Sequence, residues 1–177
     1  LAVLGCSMDE INNCLKKLDN KEVCEVANDN ANGQIILSGK INSIKKIKDI
    51  LKIDGKKSIE LPVSAPFHCS LMKSAAENMS DKIMQTHFEI PKTEIISNVK
   101  AVPENKVENI KNLLIKQIYS KVKWRESILF MSNNSIKEYI EFGPGKVLSG
   151  MIKRTIKGAN TININSIDDL KNFSNES

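Results

Sequence analysis

Over residues 1–61 the apolar positions switch between two periods. An apolar run at 1–4, ended by Gly5, reads as a strand, after which Met8, Ile11, Leu15 and Leu18 fall on one face of a helix that Ser7 or Asp9 can cap. Strands follow at 22–27 and 34–38, with an Asn- and Gly-containing turn over 28–33 between them. Ile41, Ile44, Ile47 and Leu51 then recur at helical spacing before a last strand at 57–61. The order βαββαβ predicts a ferredoxin-like module, in which two helices pack on one face of a four-stranded antiparallel sheet.

From Pro62 the texture changes. Pro62 and Pro66 bracket a short extended segment, and Leu71, Ala75, Met79 and Ile83 set a helix over 70–86. A strand is expected at 94–99, helices at 107–119 and 124–133, and a strand at 139–142. Gly143-Pro144-Gly145 then turns into a helix over 146–156, followed by a strand at 161–164 and a short helix at 167–173. The class is α/β, divided as a small subdomain at 1–61 and a second part at 62–177. That second part has few strands for its helices to cover, so it reads as a portion of a larger sheet.

Composition removes several classes of function. With 41% hydrophobic and 27% charged residues in 177, the chain can bury a core, and no apolar run approaches the length of a bilayer span. Cys6, Cys14, Cys24 and Cys69 show neither CxxC pairing nor His/Cys metal spacing, so free thiols in a reducing compartment are expected and a metal site is not. No leader is visible, and a chain opening on Leu1 reads as a fragment or a processed product. The abundance of Lys, Ile and Asn fits an AT-rich coding genome, which makes plastid and cytoplasm the two compartments to consider. The net charge of +5 is matched by residues 40–57 alone, where seven lysines face Asp49 and Asp54. Interleaved with the apolar helix positions, these lysines read as a solvated face.

The two histidines limit any imidazole chemistry to His68 and His87. His87 lies after a helix in a surface-like setting. His68 follows two prolines where an extended segment meets a helix, a junction that can present a ring into a cleft. Cys69, its neighbour, would point to the other side of an extended segment, away from that ring.

Three ordered motifs carry a resemblance: LPVSAPFHCSLM at 61–72, QIYSKVKW at 117–124 and EFGPGKVLSG at 141–150. Together they resemble the malonyl-CoA:acyl carrier protein transacylase family over nearly the whole chain. The resemblance implies a ferredoxin-like βαββαβ subdomain followed by the C-terminal part of an α/β-hydrolase-like acyltransferase domain. It implies ping-pong transfer from malonyl-CoA, through a malonyl-serine ester, to the phosphopantetheine thiol of acyl carrier protein. His68 matches the family's general base and Gln117 the residue whose main-chain carbonyl holds the second ring nitrogen. Phe67 matches a position associated with malonyl units. Asn30 and Gln34 match the segment facing the pantetheine arm, with Asn98 a weaker candidate of the same kind. Lys153 and Arg154 match a basic pair that docks the acidic carrier.

One expected element is absent. No Gly-x-Ser-x-Gly nucleophile elbow occurs in the sequence, and Ser149, in the nearest look-alike, falls inside a helix and reads as structural. Neither Arg125 nor Arg154 sits where the family's substrate-carboxylate arginine is expected. The serine is therefore expected outside this chain, and the fragment alone is expected to be inactive. No metal and no cofactor beyond the two thioester substrates is implied, nor a membrane or nucleic-acid partner, and a monomer is expected. A catalytically inactive carrier-binding fragment is one alternative. A ferredoxin-like RNA-binding module is a lesser one, because strands 22–27 and 34–38 contain no aromatic residue on which bases could stack.

Overall fold

Period-2 and period-3.6 patterning resolve into alternating strands and helices in a computed structural model that describes residues 1–176. β1 (Ala2–Leu4), α1 (Met8–Leu15), β2 (Cys24–Ala31), β3 (Gln34–Gly39), α2 (Ile41–Ile53) and β4 (Lys57–Ile59) come first. Their strands form one sheet in the order β2-β3-β1-β4, with every neighbouring pair antiparallel. Ser7 caps α1 through a capping box: its backbone N–H donates to the Glu10 carboxylate at 2.8 Å, and its hydroxyl accepts from Glu10 N–H at 3.3 Å. The core joins Val3, Ile35 and Leu37 of the sheet to Ile11 and Cys14 of α1 and Ile47 and Leu51 of α2. Ile41 departs from the expected core face. As the first residue of α2 it is 75% exposed and borders a cavity with Leu61 and Val63.

Three of the seven lysines of residues 40–57 form ion pairs. Lys46 pairs with Glu22, Lys48 with Glu60 and Lys56 with Glu10. That segment is a solvated, ion-paired face.

β2 departs most from expectation. The turn read over 28–33 shrinks to Asn32-Gly33, where Gly33 takes φ 72 and its carbonyl accepts the Gly5 N–H at 2.7 Å, while the strand runs on to Ala31. The register slips between Val26 and Asn28 and again between Asp29 and Ala31. Because directly opposed residues share a face, Val26 lies with the core residue Leu37, whereas Asn28 lies with Ile36 on the opposite face.

Two compact units divide the chain, 1–127 and 128–177, with the division inside α5. The remainder of the first unit holds a 3₁₀ turn (Ser70–Met72), α3 (Lys73–Gln85), β5 (Ile95–Ile96), β6 (Pro103–Glu104), α4 (Val107–Gln117) and the start of α5 (Trp124–Asn133). α3 packs on α4. The strand expected at 94–99 reduces to the two residues of β5, which pair with β6. Of the expected helix positions, Leu71 in the 3₁₀ turn and Ala75 and Ile83 on α3 are partly buried and Ala76 joins them, while Met79 departs from the expected face and is exposed.

The second unit consists of β7 (Glu138–Phe142), α6 (Val147–Thr155), β8 (Asn160–Ile164) and α7 (Ile167–Glu176), besides the end of α5. β7 and β8 are parallel and in register, which requires the crossover that α6 provides. Gly143 and Gly145, at φ 115 and 91, make the turn into α6. The Glu141 carboxylate caps that helix by accepting from Leu148 N at 3.0 Å and Ser149 N at 2.8 Å. Ser149 is buried and donates its hydroxyl to Glu141 at 2.6 Å, so it is a structural residue.

Candidate active site

Three segments of the first unit converge on His68. The first is the Pro-bracketed stretch ahead of it, which leaves the histidine half-buried beside exposed Phe67. His68 itself is not extended. Its φ of 59 lies in the left-handed region, which costs a residue bearing a Cβ roughly 1–2 kcal/mol. The second segment is the end of α4. His68 N–H donates to the Ile118 carbonyl at 3.3 Å, and ring Nδ1 lies 2.8 Å from the Gln117 carbonyl oxygen. A carbonyl oxygen only accepts, so Nδ1 carries a proton, and in the neutral ring the lone pair is on Nε2. The ring is thereby poised as a base at Nε2.

β2 is the third segment. Asn28, Asn30, Gln34, Ile36, Phe67 and His68 border one cavity of about 390 Å³. The slip in β2 puts Asn28 on that wall together with Asn30. Asp29 points elsewhere: it is 2% exposed and takes a two-pronged pair from Arg125, Nε to Oδ1 at 2.9 Å and Nη2 to Oδ2 at 2.8 Å. Beside it Asp29 N–H donates to Val122 O at 2.9 Å and Val122 N–H to Ala27 O at 2.8 Å, which pins the outer edge of β2. Arg125 is thus committed to Asp29.

The expected residues fall into three groups. His68, Phe67, Asn30 and Gln34 share the cavity, and Gln117 reaches His68 through its carbonyl. Gln117 and Asn98 line a different cavity of about 170 Å³, beside Ile95 and Leu113, and the Asn98 carbonyl accepts the Lys123 N–H at 2.8 Å. Lys153 and Arg154 occupy the last turn of α6 in the second unit, both exposed. Cys69 fails to reach the ring for a different reason from the one expected. It is fully buried, and its thiol donates to the Pro66 carbonyl at 3.2 Å. No group of three or more His, Cys, Asp or Glu could hold a metal among the described residues.

Sequence reasoning missed Glu25. Its carboxylate on β2 accepts the Ser70 backbone N–H at 3.1 Å and the Ser70 hydroxyl. A carboxylate between the apolar Cys24 and Val26 was the available signal.

No family model matches the chain. Among curated proteins it is 36% identical over 174 residues to the malonyl CoA-acyl carrier protein transacylase of Staphylococcus aureus, covering 97% of this chain and 56% of that protein. The Haemophilus influenzae transacylase is 31% identical over 167 residues, covering 94% of this chain and 54% of that protein. The solved acyl carrier protein S-malonyltransferase of Vibrio cholerae superposes over 97% of the chain and 56% of its own, with TM-score 0.92 and 34% identity. Over nearly all of its length the chain is similar to members of the malonyl CoA-acyl carrier protein transacylase family. A malonyl-transacylase of this family solved in complex with a type II PKS acyl-carrier protein superposes over 99% of this chain with TM-score 0.93 and 27% identity. The chain spans just over half the length of these transacylases, 54–57%. None of the helices is long and apolar enough to cross a membrane among the described residues.

Proposed function

We propose that the chain is the histidine-bearing, C-terminal part of an enzyme that moves a malonyl group from malonyl-CoA to the phosphopantetheine thiol of acyl carrier protein in fatty-acid biosynthesis. Residues 1–61 serve as its small subdomain and residues 62–177 as part of its large one. The observation that carries this reading is the 2.8 Å contact between His68 Nδ1 and the Gln117 carbonyl, which leaves Nε2 as a base.

A serine supplied by the remainder of the protein gives its proton to Nε2 as its oxygen attacks the malonyl thioester carbonyl. The tetrahedral adduct collapses, the C–S bond breaks, and Nε2–H returns the proton to the departing thiolate. Transfer to the carrier runs the same steps in reverse with a new thiol. The Gln117 carbonyl keeps the ring in one orientation and one tautomer, and stabilises the transient imidazolium as a dipole rather than as a full charge. Asn30 and Gln34 offer amides to the pantetheine arm, Asn98 a further one, and Phe67 crowds an α-branched acyl group, a discrimination of about 1–3 kcal/mol. No cofactor beyond the two thioester substrates and no metal is invoked, and the free thiols of Cys6, Cys14, Cys24 and Cys69 suit a reducing compartment. The test is incubation of the full-length protein with malonyl-CoA, followed by mass analysis of the intact enzyme. A serine-linked malonyl adduct that a carrier thiol discharges is expected; a protein that binds carrier and forms no adduct is an inactive binding protein instead.

Lys153 and Arg154 are the proposed carrier contacts. Charges on an exposed helix end steer an acidic partner and act chiefly on association. Reversing both is expected to slow discharge to carrier about 10-fold or more at low salt, with the difference shrinking as salt rises, while acylation by malonyl-CoA stays within about 2-fold. Equal slowing of the two half-reactions would reject the docking assignment.

A further inference from the structure

Within the turn that carries His68 the local bonds run from the Cys69 thiol to the Pro66 carbonyl at 3.2 Å and from the Met72 N–H to the Cys69 carbonyl at 3.0 Å, and neither caps the helical turn that follows. Cys69 occupies the N-cap position of the 3₁₀ turn Ser70–Met72 and makes no side-chain cap, because its thiol is turned to Pro66. Met72, at the N-cap of α3, supplies none either. His68 sits one residue earlier in a backbone conformation that a side-chain-bearing residue leaves readily unless its surroundings fix it. On the upstream side the fixing is done by the Ile118 and Gln117 carbonyls.

On the downstream side it is done from 45 residues away in sequence. We infer that Glu25 is a positioning residue for His68: its carboxylate grips both the backbone N–H and the hydroxyl of Ser70, and so locks the far side of the histidine turn to β2. The inference rests on the role proposed above for His68. A carboxylate at the opening of a helical turn also satisfies orphan N–H groups and favours the local dipole, which accounts for the choice of an acid at this place. Two residues from His68, the same grip has a second effect. Loss of it frees φ of His68 to relax toward the extended region, which swings the imidazole away from the Gln117 carbonyl and unfixes the Nδ1–H tautomer.

β2 then serves both halves of the site. Through Glu25 it holds the histidine turn, and through Ala27 and Asp29 it pairs with Val122, five residues beyond Gln117.

The experiment compares wild type, Glu25→Ala, Glu25→Gln and Ser70→Ala in the full-length protein. One readout is the rate of the malonyl-enzyme burst, and the other is the ¹⁵N-edited proton NMR signal of the His68 Nδ1–H, assigned by its loss in His68→Gln. For E25A the burst is expected to slow about 10- to 100-fold with little change in the malonyl-CoA concentration at half-saturation, the usual penalty for misplacing a catalytic group. The Nδ1–H signal is expected to broaden or vanish. E25Q, which keeps the shape and one acceptor, is expected to fall between. Combining E25A with S70A is expected to add nothing, because E25A already removes the hydroxyl contact that S70A cuts. A folded E25A or E25Q with the wild-type Nδ1–H signal overturns the inference, whatever the activity. A wild-type protein that shows the signal but forms no adduct overturns the proposed reaction, and the NMR comparison still decides the role of Glu25.

Discussion

Replacement of His68 by alanine is expected to lower the burst of malonyl-enzyme formation by about 10²- to 10⁴-fold, the usual contribution of a positioned general base. The ring is the only imidazole beside the cavity, its Nδ1 is occupied by the Gln117 carbonyl, and the neighbouring Cys69 thiol is buried against Pro66. Among the described residues no other side chain bordering that cavity is a base. Stability should move the other way in one variant. With φ at 59, position 68 favours glycine, so His68→Gly is expected to melt no lower than wild type and up to about 1 kcal/mol more stable, while remaining inactive. Quench-flow labelling by malonyl-CoA and a thermal melt check both halves. Unchanged burst labelling in His68→Ala would refute the base assignment, and a marked loss of stability in His68→Gly would show that the left-handed turn carries no strain.

The second large effect falls on stability. Asp29 is almost wholly buried and answered at both oxygens by Arg125, and cutting one partner of such a pair leaves a buried charge unpaired. Arg125→Ala is expected to cost about 3–5 kcal/mol, read as a drop in urea midpoint at constant slope. Replacing both partners at once, as Asp29→Leu with Arg125→Met, is expected to recover most of the loss, because no isolated charge remains. A double variant as unstable as the sum of the two single changes would mean that the residues act independently. The main-chain bonds between β2 and Val122 survive the cut, but they lose the side-chain pair beside them, so the half-saturating malonyl-CoA concentration should rise as the Asn30 wall loosens.

Much of the architecture could be read from apolar spacing, because helices and strands at the module's core bury one regular face. Met8, Ile11 and Leu15 drew α1, and Ile47 and Leu51 drew the buried face of α2. The connectivity of βαββαβ then leaves little choice of sheet order. What was not legible has local causes. Ile41 satisfied the helical spacing yet lies at the helix start, where spacing does not guarantee cover. The two-residue pairing of Ile95–Ile96 with Pro103–Glu104 is too short to have a period. Nothing around His68 announces a left-handed residue, which is normally signalled by Gly or Asn. The Asp29–Arg125 and Glu25–Ser70 contacts join residues 96 and 45 apart, and no pattern in a single sequence pairs such partners. The slip in β2 was hidden because the Asn-rich stretch reads equally well as a turn.

That slip has a consequence for how the stretch can vary. Residues before Val26 and after Ala27 are counted in different frames, and the extra residue is what lets Asn28 and Asn30 border the cavity although Cys24 and Val26, an even number of places earlier, turn toward the helices. A substitution there changes one side chain. A one-residue deletion at 27 would exchange inside for outside along the rest of the strand, pressing Asn28 against the apolar core and drawing Asp29 away from Arg125. Length, more than identity, is the quantity this stretch must keep.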